Sequence, residues 1–161
     1  MAIKRILVPI DFSEPSLAAL DYAVNLGRSL RSQLTVLFVV EPVYLAVPGD
    51  MFAPSSSVDM LLLEQQRAGR EQLAKLSQRL QKKGVKCKAM LATGSVYQSI
   101  ANTARQTKAD LIVVGTHGRT GLSHVLLGSV AERVVQTAPC PVLTVRSSKS
   151  AGRAKAKARR K

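Results

Sequence analysis

ADLIVVGTHGRTGLSHVLLGSVAERV, residues 109–134, is the stretch on which the fold turns. Leu111 to Val114 is a continuous apolar run without alternation, the composition of a parallel strand covered by helices on both faces. It breaks on Gly115-Thr116-His117-Gly118-Arg119-Thr120-Gly121, and Gly128-Ser129 then opens a helical segment that runs to Gln136. Glycine lets a backbone approach a ligand closely, and a helix amino terminus offers N–H groups together with a partial positive charge. Ser129 adds a hydroxyl donor and Arg119 a permanent charge able to reach phosphate oxygens. By physical composition the stretch is a strand, a phosphate cradle and a helix.

The same alternation extends to both sides. Lys4 to Ile10 (KRILVPI) reads as a strand, and Asp11 or Ser13 caps a helix that holds Pro15 in its first turn and runs to about Arg31 with Leu17, Leu20, Val24 and Leu30 on its apolar face. Leu34 to Val40 (LTVLFVV) is the second strand. Residues 41–57, rich in proline and serine, form a long loop before an amphipathic helix over Val58 to Lys83, with Leu62, Leu63, Leu73, Leu76 and Leu80 on one side and Gly84 as its stop. Val85 to Ala92, Ala109 to Val114 and Pro141 to Val145 are the remaining strands, with helices over Val96 to Thr107 and Gly128 to Gln136 between them. Such alternation predicts an α/β fold with a doubly wound five-stranded parallel sheet, and the order 3-2-1-4-5 is expected by analogy with known doubly wound folds. In such a sheet the winding reverses between the first and fourth strands and ligands sit at their carboxyl ends, so the turns after Ile10 and Val114 matter most.

Composition excludes several classes. The chain has 161 residues, 46% hydrophobic and 21% charged, the balance of a globular domain. The run Ile6 to Ile10 is too short for a secretory h-region, and Leu34 to Val47, interrupted by Glu41 and Pro42, is too short for a membrane span, so a cytoplasmic protein is expected. Cys87 and Cys140 lack metal-site spacing and read as small buried hydrophobes in a reducing compartment. No G-x-x-x-x-G-K-S/T run and no G-x-G-x-x-G after the first strand is present, which removes P-loop and dinucleotide readings. The net charge of +14 is uneven: residues 149–161 hold seven basic residues and no acid, leaving 17 basic against 10 acidic before them. Residues 147–161 are expected to be a flexible basic tail on a domain of residues 1–146, either solvated or making non-specific, salt-sensitive contact with nucleic acid.

The blocks ILVPIDFS, VVE, TGSVYQSI, ADLIVVGTHG, LLGSVAERV and CPVLTVR, in this order over about residues 2–146, resemble the universal stress protein family. Gly115, two residues, Gly118, nine residues and Gly128-Ser129 match the glycine signature of its ATP-binding, UspA-like members. The resemblance implies an adenine-nucleotide α-hydrolase-like fold with ATP as the ligand; any Mg²⁺ bound with it would be held by phosphates and water, with Asp11 as an occasional partner. It implies that Pro9, Ile10 and Asp11 approach the adenine and ribose and that Val39 offers its backbone to the ring. Gly115, His117, Gly118 and Arg119 would line ribose and phosphates, and Gly128, Ser129 and Val130 would close on the phosphates. It also implies a homodimer joined through the last strand, Val142 to Val145. Ser95-Val96 replaces the family's frequent Gly-x-Pro step, and Phe38 stands where many members carry histidine.

The sequence offers little for catalysis. His117 has no paired carboxylate or nucleophile beside it, His117 and His124 without a nearby acid make a weak metal site, and no acidic cluster suggests a dedicated one. The leading expectation is therefore a nucleotide-dependent stress-response module, with a slow ATPase or phosphoryl-transfer enzyme using the same pocket as the alternative. A tail-driven nucleic-acid binder is the third reading.

Overall fold

The computed structural model describes residues 2–42, 56–116 and 128–146, with residues 56 and 57 described in backbone only. The chain runs β1 (Arg5–Ile10), α1 (Glu14–Leu30), β2 (Gln33–Val40), α2 (Ser56–Lys82), β3 (Cys87–Thr93), α3 (Val96–Gln106), β4 (Leu111–Gly115), α4 (Ser129–Thr137) and β5 (Val142–Val145). The five strands form one sheet in the order β3-β2-β1-β4-β5, every pair parallel, as the apolar runs predict.

Side chains alternate across the sheet and supply two cores. Ile6, Val8 and Ile10 of β1 join Leu34 and Val36 of β2 and Val113 of β4 beneath α1 and α2, which contribute Leu20, Val24, Leu73 and Leu80. Leu7, Leu37 and Ile112 face the other way, against Ile100 and Ala104 of α3 and Val134 of α4. Helices thus cover both faces, and the covering layer changes side between β1 and β4.

Local chemistry sets the boundaries. Ser13 caps α1, its Oγ accepting from the Ser16 N–H at 3.4 Å, and proline sits in the first turn as anticipated. β3 starts at Cys87 rather than Val85, because the Val85 N–H turns back to the Leu80 carbonyl (3.1 Å) to finish the preceding helix. β4 starts at Leu111 rather than Ala109 for the same reason, the Ala109 N–H bonding the Ala104 carbonyl at 2.9 Å. Across the start of the sheet Asp110 clips β1 to β4: its carboxylate accepts from the Lys4 and Arg5 amides, both at 2.9 Å, and pairs with the Arg5 guanidinium at 3.0 Å.

Three sequence expectations change. The apolar stripe of α2 is Leu62, Gly69, Leu73, Leu76 and Leu80, whereas Leu63, one residue round the helix from that stripe, is 64% exposed. Leu17 and Leu30 likewise stand at the exposed margin of α1, leaving Leu20 and Val24 to the core. Cys87 and Cys140 are free and only half-buried, and partial burial raises both thiols above their ordinary values. Residues 43–55 of the expected loop and all of the tail, 147–161, lie outside the described residues. No helix among the described residues is long and apolar enough to cross a membrane.

Candidate functional site

A cavity of about 650 Å³ opens at the carboxyl ends of the strands. Pro9, Ile10 and Asp11 close it from β1, Val39, Val40 and Glu41 from β2, and Val114, Gly115 and Thr116 from β4. The first turn of α4 supplies Gly128, Ser129, Val130 and Ala131, so the two turns singled out by the strand order meet here. His117, Gly118 and Arg119, together with His124, lie outside the described residues.

Asp11 is fixed by the chain that follows it. Its Oδ1 accepts from the Ser13 N–H (3.0 Å) and from the Ser13 hydroxyl, while its own N–H donates to Ser16 Oγ at 3.3 Å. Between them Phe12 takes a left-handed backbone, φ +61°, an uncommon conformation for an aromatic residue. The reversal carries the Phe12 ring onto Phe38, with centroids 5.3 Å apart and planes tilted by 49°. Asp11 is both a turn-forming residue and part of the cavity wall.

Gly115 has a structural duty in addition to facing the cavity. A Cβ there would lie 2.7 Å from the Pro15 carbonyl oxygen, so the missing side chain is what lets the start of α1 pack on the end of β4. Thr116 follows, its N–H donating to the Val145 carbonyl at 3.0 Å and its carbonyl accepting from the Gly128 N–H at 2.7 Å. These bonds place the amino end of α4 beside the end of β4. Gly128 is the residue preceding the helix and contributes no capping side chain, and it lines the cavity together with the first-turn residues Ser129, Val130 and Ala131.

The wall opposite α4 is one that sequence reading missed. Gln65, Ala68, Gly69 and Gln72 of α2 line it, over the ring of Phe38. A Cβ on Gly69 would come within 2.6 Å of that ring, so the glycine admits the aromatic. The signal was present as an isolated glycine on the apolar stripe of a long helix, but its partner lies 31 positions away, at Phe38. Val96 and Ile100 of α3 complete the apolar lining. Among the described residues no group of histidines, cysteines and carboxylates is placed to hold a metal ion.

Residues 2–146 match the family model described as the universal stress protein family. The chain belongs to the universal stress protein family. A universal stress protein of Methanocaldococcus jannaschii is 37% identical over 147 residues, 91% of this chain and 84% of that protein. The solved structure of universal stress protein UspA from Lactobacillus plantarum superposes with a TM-score of 0.80 at 28% identity, covering 91% of this chain and 99% of that one. Two solved universal stress proteins with the same fold carry nucleotides. One, in complex with cAMP, has a TM-score of 0.62 at 24% identity and covers 91% of this chain and 99% of that one. The other, from Arabidopsis thaliana with AMP bound, has a TM-score of 0.60 at 22% identity and covers 89% of this chain and 90% of that one.

Proposed function

We propose that this universal stress protein binds ATP and acts as a nucleotide-dependent stress-response and signalling module. The observation that carries the reading is the cavity at the carboxyl ends of β1, β2 and β4, which has the volume of a small-molecule site, roughly 300–1,000 Å³. Its wall includes Pro9, Ile10, Asp11 and Val39 on one side and Gly115, Gly128, Ser129 and Val130 on the other. The first group is apolar with a carboxylate at its margin, which suits a base and a ribose. The second is a polarised helix terminus with a hydroxyl, which suits phosphate oxygens.

In this reading Val39 presents its backbone to the adenine, and Gly128, Ser129 and Val130 hold the phosphates, with His117, Gly118 and Arg119 as further phosphate and ribose contacts. Mg²⁺ would arrive with the phosphates and find Asp11 as its protein partner. Residues 1–146 form the functional domain, in the cytoplasm, and a second copy pairs at β5. There Val142, Leu143 and Val145 are half-buried on the outer strand of the described sheet, an edge that proteins commonly pair or protect.

Purified protein is denatured and any released nucleotide identified by chromatography. ATP is then titrated calorimetrically into wild type and into the Gly128→Arg, Ser129→Ala variant. Binding by wild type that is lost in the variant supports the reading. Absence of binding to wild type overturns it, and equal binding to both moves the phosphates away from α4.

A further inference from the structure

Three helices end at the same edge of the sheet, opposite the cavity, and they end in the same way. At the close of α1 the Arg31 N–H donates to the Arg28 carbonyl (3.3 Å) and the Ser32 N–H to the Gly27 carbonyl (2.8 Å). α2 closes with Gly84 on Gln81 (2.8 Å) and Val85 on Leu80 (3.1 Å), and α3 with Lys108 on Arg105 (3.1 Å) and Ala109 on Ala104 (2.9 Å). Each closure pivots on a residue in left-handed backbone, with φ of +53° at Arg31, +73° at Gly84 and +49° at Lys108. Glycine is the residue this conformation favours, and α2 has it. The other two pivots carry an exposed cation instead.

More cations gather on the same edge. Arg28, Arg79, Lys82 and Arg105 occupy the last turns of their helices. Lys4 and Lys86 stand at strand starts, where the Gln33 N–H donates to the Lys4 carbonyl (2.7 Å) and the Leu34 N–H to the Lys86 carbonyl (2.9 Å). The Arg28 guanidinium donates to the Lys83 carbonyl, tying the end of α1 to the turn after α2. The acid among these residues is Asp110, and Arg5 already takes its charge. Acids stand at the other end: Asp11 and Glu41 line the cavity, and Glu14 and Glu132 lie in the first turns of α1 and α4.

Cations in a last helical turn complement the helix dipole, which accounts for Arg28, Arg79, Lys82 and Arg105. It does not account for Lys4 and Lys86 at strand starts, or for cations at pivots where glycine costs less strain. Gathering so many like charges also raises the protein's self-repulsion, which an anionic partner would relieve.

We propose that this basic edge binds the sugar-phosphate backbone of duplex nucleic acid without reading its sequence, as a site of the folded domain and separate from the tail. The edge spans β3, β2, β1 and β4, about 14 Å at a strand spacing of roughly 4.8 Å, comparable with the roughly 12 Å major groove between phosphate rows. None of the residues that form it is aromatic, so it lacks the stacking platform that single strands use. Leu30 is the large apolar side chain exposed there among the described residues, too little to seat in a bilayer.

The test uses the full chain and a short fluorescent DNA duplex, with affinity measured from about 50 to about 200 mM salt. Three proteins are compared: wild type, an edge variant (Arg31→Gly, Lys86→Gln, Lys108→Gly), and a tail variant with every Lys and Arg of residues 149–161 changed to Ser. The edge variant is expected to lose at least tenfold in affinity at low salt. Its slope of log affinity against log salt should be shallower by about 2.7, for three phosphate contacts at about 0.9 each. Its thermal midpoint should not fall, because glycine suits both left-handed pivots, so lost binding cannot be lost folding. The proposal is overturned if the edge variant binds like wild type while the tail variant alone loses affinity. It is equally overturned if wild type does not bind duplex at low salt, or binds phosphatidylserine vesicles or polyglutamate more tightly than duplex.

Discussion

The Gly128 N–H donates to the Thr116 carbonyl oxygen at 2.7 Å, so a hydrogen bond joins the amino end of α4 to the carboxyl end of β4. Gly128 has φ −68°, an angle that proline adopts freely. Gly128→Pro therefore removes the donor without forcing the torsion. We expect a loss of about 1 kcal/mol in stability, read by urea denaturation, and at least a tenfold loss of ATP affinity, read by calorimetry. Unchanged affinity would mean that the position of α4 is set elsewhere.

Gly69 and Phe38 compete for one volume. Gly69→Ala places a methyl group within 2.6 Å of the ring, and overpacking of this kind costs about 1–3 kcal/mol. Adding Phe38→Leu should recover part of that loss, so the two substitutions should be non-additive in a double-mutant cycle. Strict additivity of the two denaturation midpoints would show that α2 moves aside instead.

Asp110 sets a pH limb. Hydrogen bonding from the Arg5 side chain first, then from the Lys4 and Arg5 amides, holds its carboxyl down at about 2 from an ordinary 3.8. A carboxyl depressed in the folded state contributes stability that is fully present above its unfolded value and is lost as pH falls towards the folded one. Asp110→Asn should therefore be less stable than wild type at neutral pH. Its stability should also fall less steeply than that of wild type between about pH 4 and about pH 2. Parallel urea midpoints across that window would contradict this.

The left-handed pivots predict a gain. Arg31→Gly and Lys108→Gly each remove the Cβ penalty of a positive φ, offset in part by the larger entropy of glycine in the unfolded chain. We expect each to stabilise by about 0.5–1 kcal/mol. Gly84→Ala, at φ +73°, should do the opposite by a similar amount. Thermal midpoints of the three variants would decide it.

Much of this was legible in the sequence because it is local. Ser13 ahead of Pro15 announces a helix start, Leu111 to Val114 announces a strand buried on both faces, and Gly115 after it marks the end at which the cavity opens. Alternation gave the parallel sheet and likeness to known doubly wound folds its order, and with that order came the meeting of Asp11 and Gly115 at one cavity. What was not legible depends on residues far apart. Nothing near Gly69 reveals Phe38, and nothing near Asp110 reveals Arg5 across the sheet. Leu63 falls outside the stripe because the run Leu61-Leu62-Leu63 reads as apolar all round that turn, and only packing selects Leu62. Arg31 and Lys108 gave no turn signal, since a left-handed pivot is usually recognised by its glycine.

The two cores are unequal. Six buried residues of α1 stand against two in α4, Ala131 and Val134. Helices held by few apolar contacts open locally at lower free energy than the sheet beneath them. Amide hydrogen exchange should therefore find α4 the least protected of the nine elements among the described residues, the chain's ends apart, and β1 the most. The element on the side of the cavity proposed for phosphates would then also be the first to breathe, so a bound nucleotide would register as slowed exchange in α4 long before it changed the melting of the whole domain.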